Sequence, residues 1–268
     1  MASLNPLKRA WAGGRTAFGL WSVIPSSFSA ELAAGADFDY VCVDQQHGVI
    51  DYDSMVPMFQ AIRAEGTAPI TRVLSNDPFL IMKALDAGAW GVIVPLVNSA
   101  GDAARAVSAC RYPPQGIRSF GPVRAAGVIG SRDPEKLGGE VLCLVMVETR
   151  EALERVDEIA ATPGVDGIYI GPSDLALSLG LPPTLEIQEG EHAEAVGRIR
   201  EACQSNGIAA GVHCPSGEWA RKHAEAGFDL VTVATDANLL REAALRELTV
   251  ARGGHTEPGP AGGITSGP

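Results

Sequence analysis

An acid, two amides and a histidine stand together at the end of an apolar run, in VCVDQQHGV (41–49). His47 could act as a general base, because an imidazole with a reference pKa near ~6.5 suits proton transfer at neutral pH. The alternative is a loop histidine satisfied by backbone; its place beside Asp44 and Gln46 favours chemistry. Arg72 interrupts the apolar run PITRV (69–73), and a buried arginine needs an anion. It either pairs with an internal acid such as Asp44 or grips a substrate carboxylate with both arms of its guanidinium, and the two uses are compatible. Glu148 and Asp174 each follow a later apolar run. Both are hard oxygen donors, and two carboxylates with water and substrate oxygens suit an octahedral divalent ion such as Mg2+ or Mn2+. Each acid alone could instead serve the first turn of the helix it introduces, but two acids brought together would repel without a cation. Gly171-Pro172-Ser173-Asp174 opens a helix, whose backbone N–H groups could bind a carboxylate; plain capping by Ser173 is the other reading. Arg118 and Arg124 could help bind a second anion, or lie at the surface or a subunit contact.

These residues must be positioned by something regular. Eight short runs are nearly continuous in apolarity: 18–24, 40–43, 69–73, 91–95, 141–147, 167–171, 208–212 and 229–235. Strands buried on both faces read this way. Amphipathic helical stretches lie between them, several ending in glycine. Repeated strand–helix units imply a parallel sheet, and eight of them imply a closed (β/α)8 TIM barrel. An open doubly wound sheet is the runner-up; it would usually carry a glycine-rich loop after the first strand, which IPSSFSAE is not. In a parallel barrel the strand ends share one rim. Asp44 to His47, Arg72, Glu148, Gly171 to Asp174 and His213 should therefore converge although they are far apart in the chain. Residues 1–252 read as one barrel domain with a final helix from Leu239 to Arg252, and 253–268 as a disordered tail. The Pro-, Gly- and Arg-rich segment 111–140 reads as a long functional loop between the fourth and fifth strands.

A net charge of −11 argues against nucleic acid or an anionic membrane as partner, since a phosphate-binding surface needs clustered Lys and Arg. Five scattered cysteines form no CxxC pair, which fits a reducing compartment. No apolar run approaches the ~18 residues of a membrane helix, and the N-terminus lacks a signal-like apolar core. The expectation is a cytoplasmic protein.

The stretches VDQQHG, ITRVLSNDP, LDAGAWGVIVPLVNSA, RYPPQGIRSFGPVRA and VMVETREALERVDEIAATPGVDGIYIGPSDLALSLG resemble the HpcH/HpaI aldolase/citrate lyase family over roughly residues 5 to 250. The likeness is to its metal-dependent (class II) pyruvate aldolases. It implies a barrel of the phosphoenolpyruvate/pyruvate-domain type, assembled as a homohexamer (a trimer of dimers). It implies a divalent metal, Mg2+, Mn2+ or Co2+, on Glu148 and Asp174, with a 2-oxo acid and an aldehyde as small-molecule partners. Residue by residue, Ser173 matches a main-chain contact to pyruvate beside Gly171, and Arg72 matches the arginine that stabilises developing charge. His47 matches the proton acceptor, and Asp86 an acid that raises its basicity. Asp86 ends the helix after the third strand, so it would meet a His47 most easily across a subunit boundary. Two positions depart from the family pattern: Gln46 stands where a Glu is usual, and Met146 where a Gln is usual. The implied reaction is reversible retro-aldol cleavage of a 4-hydroxy-2-oxo acid, such as 4-hydroxy-2-oxoheptanedioate, to pyruvate and an aldehyde. Related enolate chemistry (a decarboxylase, a carbon–carbon bond-forming synthase, a CoA-thioester lyase) is the alternative, and a catalytically inactive 2-oxo acid binder is a third. No lysine lies within a predicted strand, which disfavours a Schiff-base route.

Overall fold

A computed structural model describes residues 3–187 and 189–254. All eight apolar runs are strands: β1 (Ala17–Ser22), β2 (Tyr40–Asp44), β3 (Ala68–Arg72), β4 (Gly91–Val94), β5 (Leu142–Val147), β6 (Gly167–Ile170), β7 (Ala209–His213) and β8 (Leu230–Thr235). Each pairs in parallel with the next, and β8 pairs with β1, closing the barrel. The strands are buried on both faces because side chains fill the lumen and helices cover the outside. The expected barrel is therefore present, and the open sheet is not.

Side-chain parity along each strand decides what faces the lumen. The hydroxyls of Tyr40, Tyr169 and Thr232, from β2, β6 and β8, meet there: Thr232 Oγ1 is 3.0 Å from Tyr40 Oη and 2.6 Å from Tyr169 Oη. A Cβ built on Gly19 would lie 2.2 Å from the Tyr40 ring, and one on Gly211 2.9 Å from Tyr169 Cδ2, so these two glycines also face inward. Trp21, Gly171 and His213, two residues further along, and Asp44, four beyond Tyr40, then share the inner face at the C-terminal rim. By the same alternation Arg72 follows Ile70, and Glu148 follows Met146.

The helices differ from expectation in three places. A helix over Pro6–Ala12 was not foreseen; Asn5 caps it, and Asn5 Nδ2 also donates to Trp90 O at 2.9 Å and Glu140 O at 2.8 Å. The segment 111–140 is not a bare loop: it contains helices Ala125–Ile129 and Pro134–Gly139. The final helix begins earlier than read, at Asp236, and runs to Ala251. The predicted tail lies outside the described residues from position 255 onward.

Since Gly19 leaves no room for a side chain against Tyr40, Gly19→Ala should lower unfolding stability by about 1–3 kcal/mol through overpacking. The denaturant midpoint measures this; an unchanged midpoint would mean that Tyr40 can withdraw without cost.

Candidate active site

Strand register places Asp44 beside Arg72 at the top of β2 and β3. Arg72 Nε donates to Asp44 Oδ1 at 2.8 Å and Nη2 to Oδ2 at 2.6 Å, a bidentate pair in which Asp44 is 1% and Arg72 8% exposed. Trp21 Nε1 also donates to Asp44 Oδ2 at 3.1 Å, and the guanidinium lies over the Trp21 ring, 5.0 Å from its centroid. Burial opposes ionisation of Asp44, but the Arg72 fork and its charge outweigh it and hold the carboxyl below the usual range. Arg72 rises for the reciprocal reason: its own desolvation is overcome by Asp44. Both proposed uses of Arg72 coexist, because it pairs with Asp44 and still lines a cavity of about 220 Å³ at the rim.

Asp44 also builds the loop that follows. Its Oδ1 accepts from Gln46 N at 3.0 Å and His47 N at 3.4 Å, which turns the chain sharply and sets His47 on the cavity wall. The turn requires glycine at 48, where a Cβ would stand 2.2 Å from Asp44 O. Gln46 Oε1 is buried without a hydrogen-bond partner among the described residues.

Glu148 lies one residue past β5 and is 2% exposed. Its Oε1 accepts from Leu96 N at 2.8 Å. Leu96 sits at φ 54°, a left-handed conformation that costs a non-glycine residue roughly 1–2 kcal/mol. That backbone strain aims an N–H at the carboxylate. Thr149, not Glu148, caps the next helix by accepting from Ala152 N, so the capping reading of Glu148 fails. Glu148 Oε2 faces Gly171, whose built Cβ would be 2.8 Å from that oxygen and 3.0 Å from Met146 Cε. Glycine at 171 thus lets the β6 end approach the acid. The helix Pro172–Ser178 has no side-chain cap, so Ser173 does not cap it, and Ser173 and Asp174 line the cavity instead.

Burial pushes the Glu148 carboxyl above its ordinary range. The Leu96 N–H pulls the other way, the charge of Asp174 adds to the rise, and Arg72 offsets only part of it. Neither Glu148 nor Asp174 has an ion pair among the described residues. Two neighbouring acids, one of them buried, with the nearby guanidinium already held by Asp44, form a site that a divalent cation would relieve. Among the described residues no third His, Cys, Asp or Glu joins them. The remaining coordination positions of a hard cation would fall to water and substrate oxygens.

The family model of HpcH/HpaI aldolase/citrate lyase matches residues 17–243. The chain belongs to the HpcH/HpaI aldolase/citrate lyase family. A hydroxypyruvate/pyruvate aldolase of Rhizorhabdus wittichii is 42% identical over 249 residues, covering 93% of this chain and 99% of that protein. A 4-hydroxy-2-oxo-heptane-1,7-dioate aldolase of Shigella sonnei is 37% identical over 245 residues, with 90% and 92% covered. The crystal structure of an HpcH/HpaI family protein from Burkholderia cenocepacia J2315 superposes with a TM-score of 0.84 at 32% identity, over 92% of this chain and 98% of that one.

Of the residues expected from the HpcH/HpaI resemblance, His47, Arg72, Met146, Gly171, Ser173 and Asp174 all line the one cavity, and Glu148 stands against Gly171. Asp86 does not join them. Its Oδ1 accepts from Arg118 Nη2 at 2.7 Å, and burial pushes its carboxyl up while Arg118 opposes the rise. Within one protomer, therefore, Asp86 is paired with Arg118 and not with His47. Arg118 and Arg124 line no part of the cavity either; Arg118 is 1% exposed and lies over Tyr112, and Arg124 donates to Ala87 O. Sequence reasoning gave no role to Trp21, Leu96 or Tyr169, and none to His213 beyond its place at the rim. Trp21 and Tyr169 stack at 5.4 Å, and His213 meets Trp21 edge-on at 5.1 Å. Inward parity along β1, β6 and β7 was the available signal for three of these; the positive φ of Leu96 had none.

Asp44→Asn leaves Arg72 buried without a counter-charge and should cost about 3 kcal/mol. The folded pKa of Asp44 is depressed, so its contribution is complete above the unfolded carboxylate value near ~3.9 and is lost as pH falls through the lower folded value. The stability gap between wild type and Asp44→Asn should stay level from about pH 8 to 5 and shrink below about pH 4. A gap that already narrows near neutrality would contradict the pairing.

Proposed function

We propose that this chain is a carbon–carbon lyase that cleaves a 4-hydroxy-2-oxo acid reversibly to pyruvate and an aldehyde. The observation that carries the reading is the buried, uncompensated Glu148 beside Asp174, on the same cavity as Arg72 and His47. The names of the relatives at 37–42% identity support it. Glu148 and Asp174 would hold a divalent cation, Mg2+, Mn2+ or Co2+. When bound, that cation supplies Lewis-acid stabilisation for negative charge on the 2-oxo oxygen.

The protein's own groups do the rest. The uncapped first turn at Ser173 and Asp174 offers backbone N–H groups to the substrate carboxylate. His47 accepts the proton of the 4-hydroxyl. The C3–C4 bonding electrons then pass to C3 and C2, giving the enolate, while C4 becomes the aldehyde carbonyl. Arg72 uses Nε and Nη2 on Asp44, which leaves Nη1 to face the enolate oxygen as charge develops there. The Asp44 pair and the Trp21 face keep that guanidinium from following the substrate. A proton delivered to C3 completes pyruvate. Met146 and Gly171 shape the wall against the three-carbon unit. Asp86 would influence His47 only from a neighbouring copy in an oligomer.

In deuterium oxide, the purified protein should exchange the methyl protons of pyruvate in a reaction that needs added Mn2+ or Mg2+, followed by proton NMR. Glu148→Gln should reduce the exchange at least about 100-fold and remove the cation's upward shift in thermal unfolding. Arg72→Lys should slow exchange comparably, since one ammonium cannot hold Asp44 and face an oxyanion together. Exchange undiminished after exhaustive chelation would remove the metal–enolate reading.

A further inference from the structure

The cavity continues past the carboxylates. A second cavity of about 170 Å³ adjoins it, and the two share Leu185, His213 and Thr235 as walls. His213 ends β7 on the inward face and borders both cavities. Its Nδ1 is 3.2 Å from Tyr169 Oη, which is itself 2.6 Å from Thr232 Oγ1. Trp21, edge-on, holds the plane of the imidazole. Nδ1 is thereby engaged from within the barrel, while Nε2 hydrogen-bonds to nothing among the described residues, and His213 lines both cavities. Of the residues shared by the two cavities, His213 and Thr235 are the polar ones, and the imidazole is the larger group at the junction.

The chemistry of Nε2 follows from the chain of hydroxyls. If Tyr169 donates to Thr232, Nδ1 carries the proton and Nε2 accepts; if Tyr169 donates to Nδ1, Nε2 carries the proton and donates. Burial first, and Arg72 second, pull this imidazole down to about 4, so it offers no positive charge at neutral pH. A hydroxyl, which both donates and accepts, satisfies either tautomer. A carboxylate is served by only one and gains no ion pair; a methyl group is served by neither. The second cavity agrees in character. Ser216, Asn238 and Glu242 line it, and no Lys or Arg does.

We propose that His213 is a specificity-determining residue that hydrogen-bonds a hydroxyl on the aldehyde-derived half of the substrate, whose far end occupies the second cavity. Neutral hydroxyaldehydes are then the preferred partners of pyruvate, ahead of alkanals of equal length and of aldehydes that carry a carboxylate. The assignment rests on the aldolase reading above and deepens it.

The test is the ratio of kcat/KM for glyceraldehyde to that for propanal, with pyruvate and Mn2+, in the full chain. His213→Leu should lower that ratio roughly tenfold or more, and His213→Gln, which keeps a donor and an acceptor, should retain most of it. Tyr169→Phe frees Nδ1 without touching the ring and should also lower the ratio, so a poorly folded His213→Leu does not end the inquiry. Wild type should favour glyceraldehyde over succinic semialdehyde. The same ratio in wild type and His213→Leu, or a preference for succinic semialdehyde, overturns the assignment. Pyruvate methyl exchange in wild type separates the two levels: exchange with an unmoved ratio removes His213 alone, whereas no exchange removes the aldolase reading beneath it.

Discussion

Charge balance at the barrel rim is the constraint on which the rest depends. Glu148 is buried with the charge of Asp174 close enough to raise its carboxyl, and Arg72 compensates little because Asp44 already holds it by two hydrogen bonds. A protein interior does not tolerate such an arrangement without a reason, since an unpaired buried charge costs several kcal/mol. Here the cost is maintained by further strain, with Leu96 in a left-handed conformation to present its N–H to Glu148. Strained backbone that serves a destabilised acid is the mark of a site built for something that arrives from outside.

The opposite arrangement lies on the same rim. Asp44 and Arg72 neutralise each other, and Trp21 covers the guanidinium and donates to the acid. Trp21 stacks on Tyr169, whose hydroxyl reaches Thr232 and, through it, Tyr40 in the lumen. One wall of the cavity is thereby tied into the barrel core, while the other wall carries the unbalanced acids. Arg72 is thus a cation fixed in place on the cavity wall, which is the preorganised arrangement that the proposed reaction requires. His47 differs from both: it is exposed, on a loop folded around Asp44.

Much of this was legible in the chain because parallel barrels leave a strong pattern. Eight doubly buried strands cannot be written in alternating residues, so the apolar runs located every strand to within one or two positions. The pairing of Asp44 with Arg72 was foreseeable, since each interrupts an apolar strand and needs the other. Three things were not visible. The helix Pro6–Ala12 is too short to show an amphipathic period, although Asn5-Pro6 is a good helix start. Trp21 and Tyr169 read as ordinary core residues, because their role comes from lumen parity and not from type. The pairing of Asp86 with Arg118 inside the chain was the third: a salt bridge between positions 32 apart leaves no local signature.

The most direct measurement is anomalous diffraction from crystals grown with manganese and pyruvate. A single manganese peak between the carboxylates of Glu148 and Asp174, inside the cavity lined by Arg72 and His47, is the expected result. A peak bound elsewhere, or none while pyruvate occupies the cavity, would contradict a cation held by these two acids and with it the explanation of why Glu148 is buried.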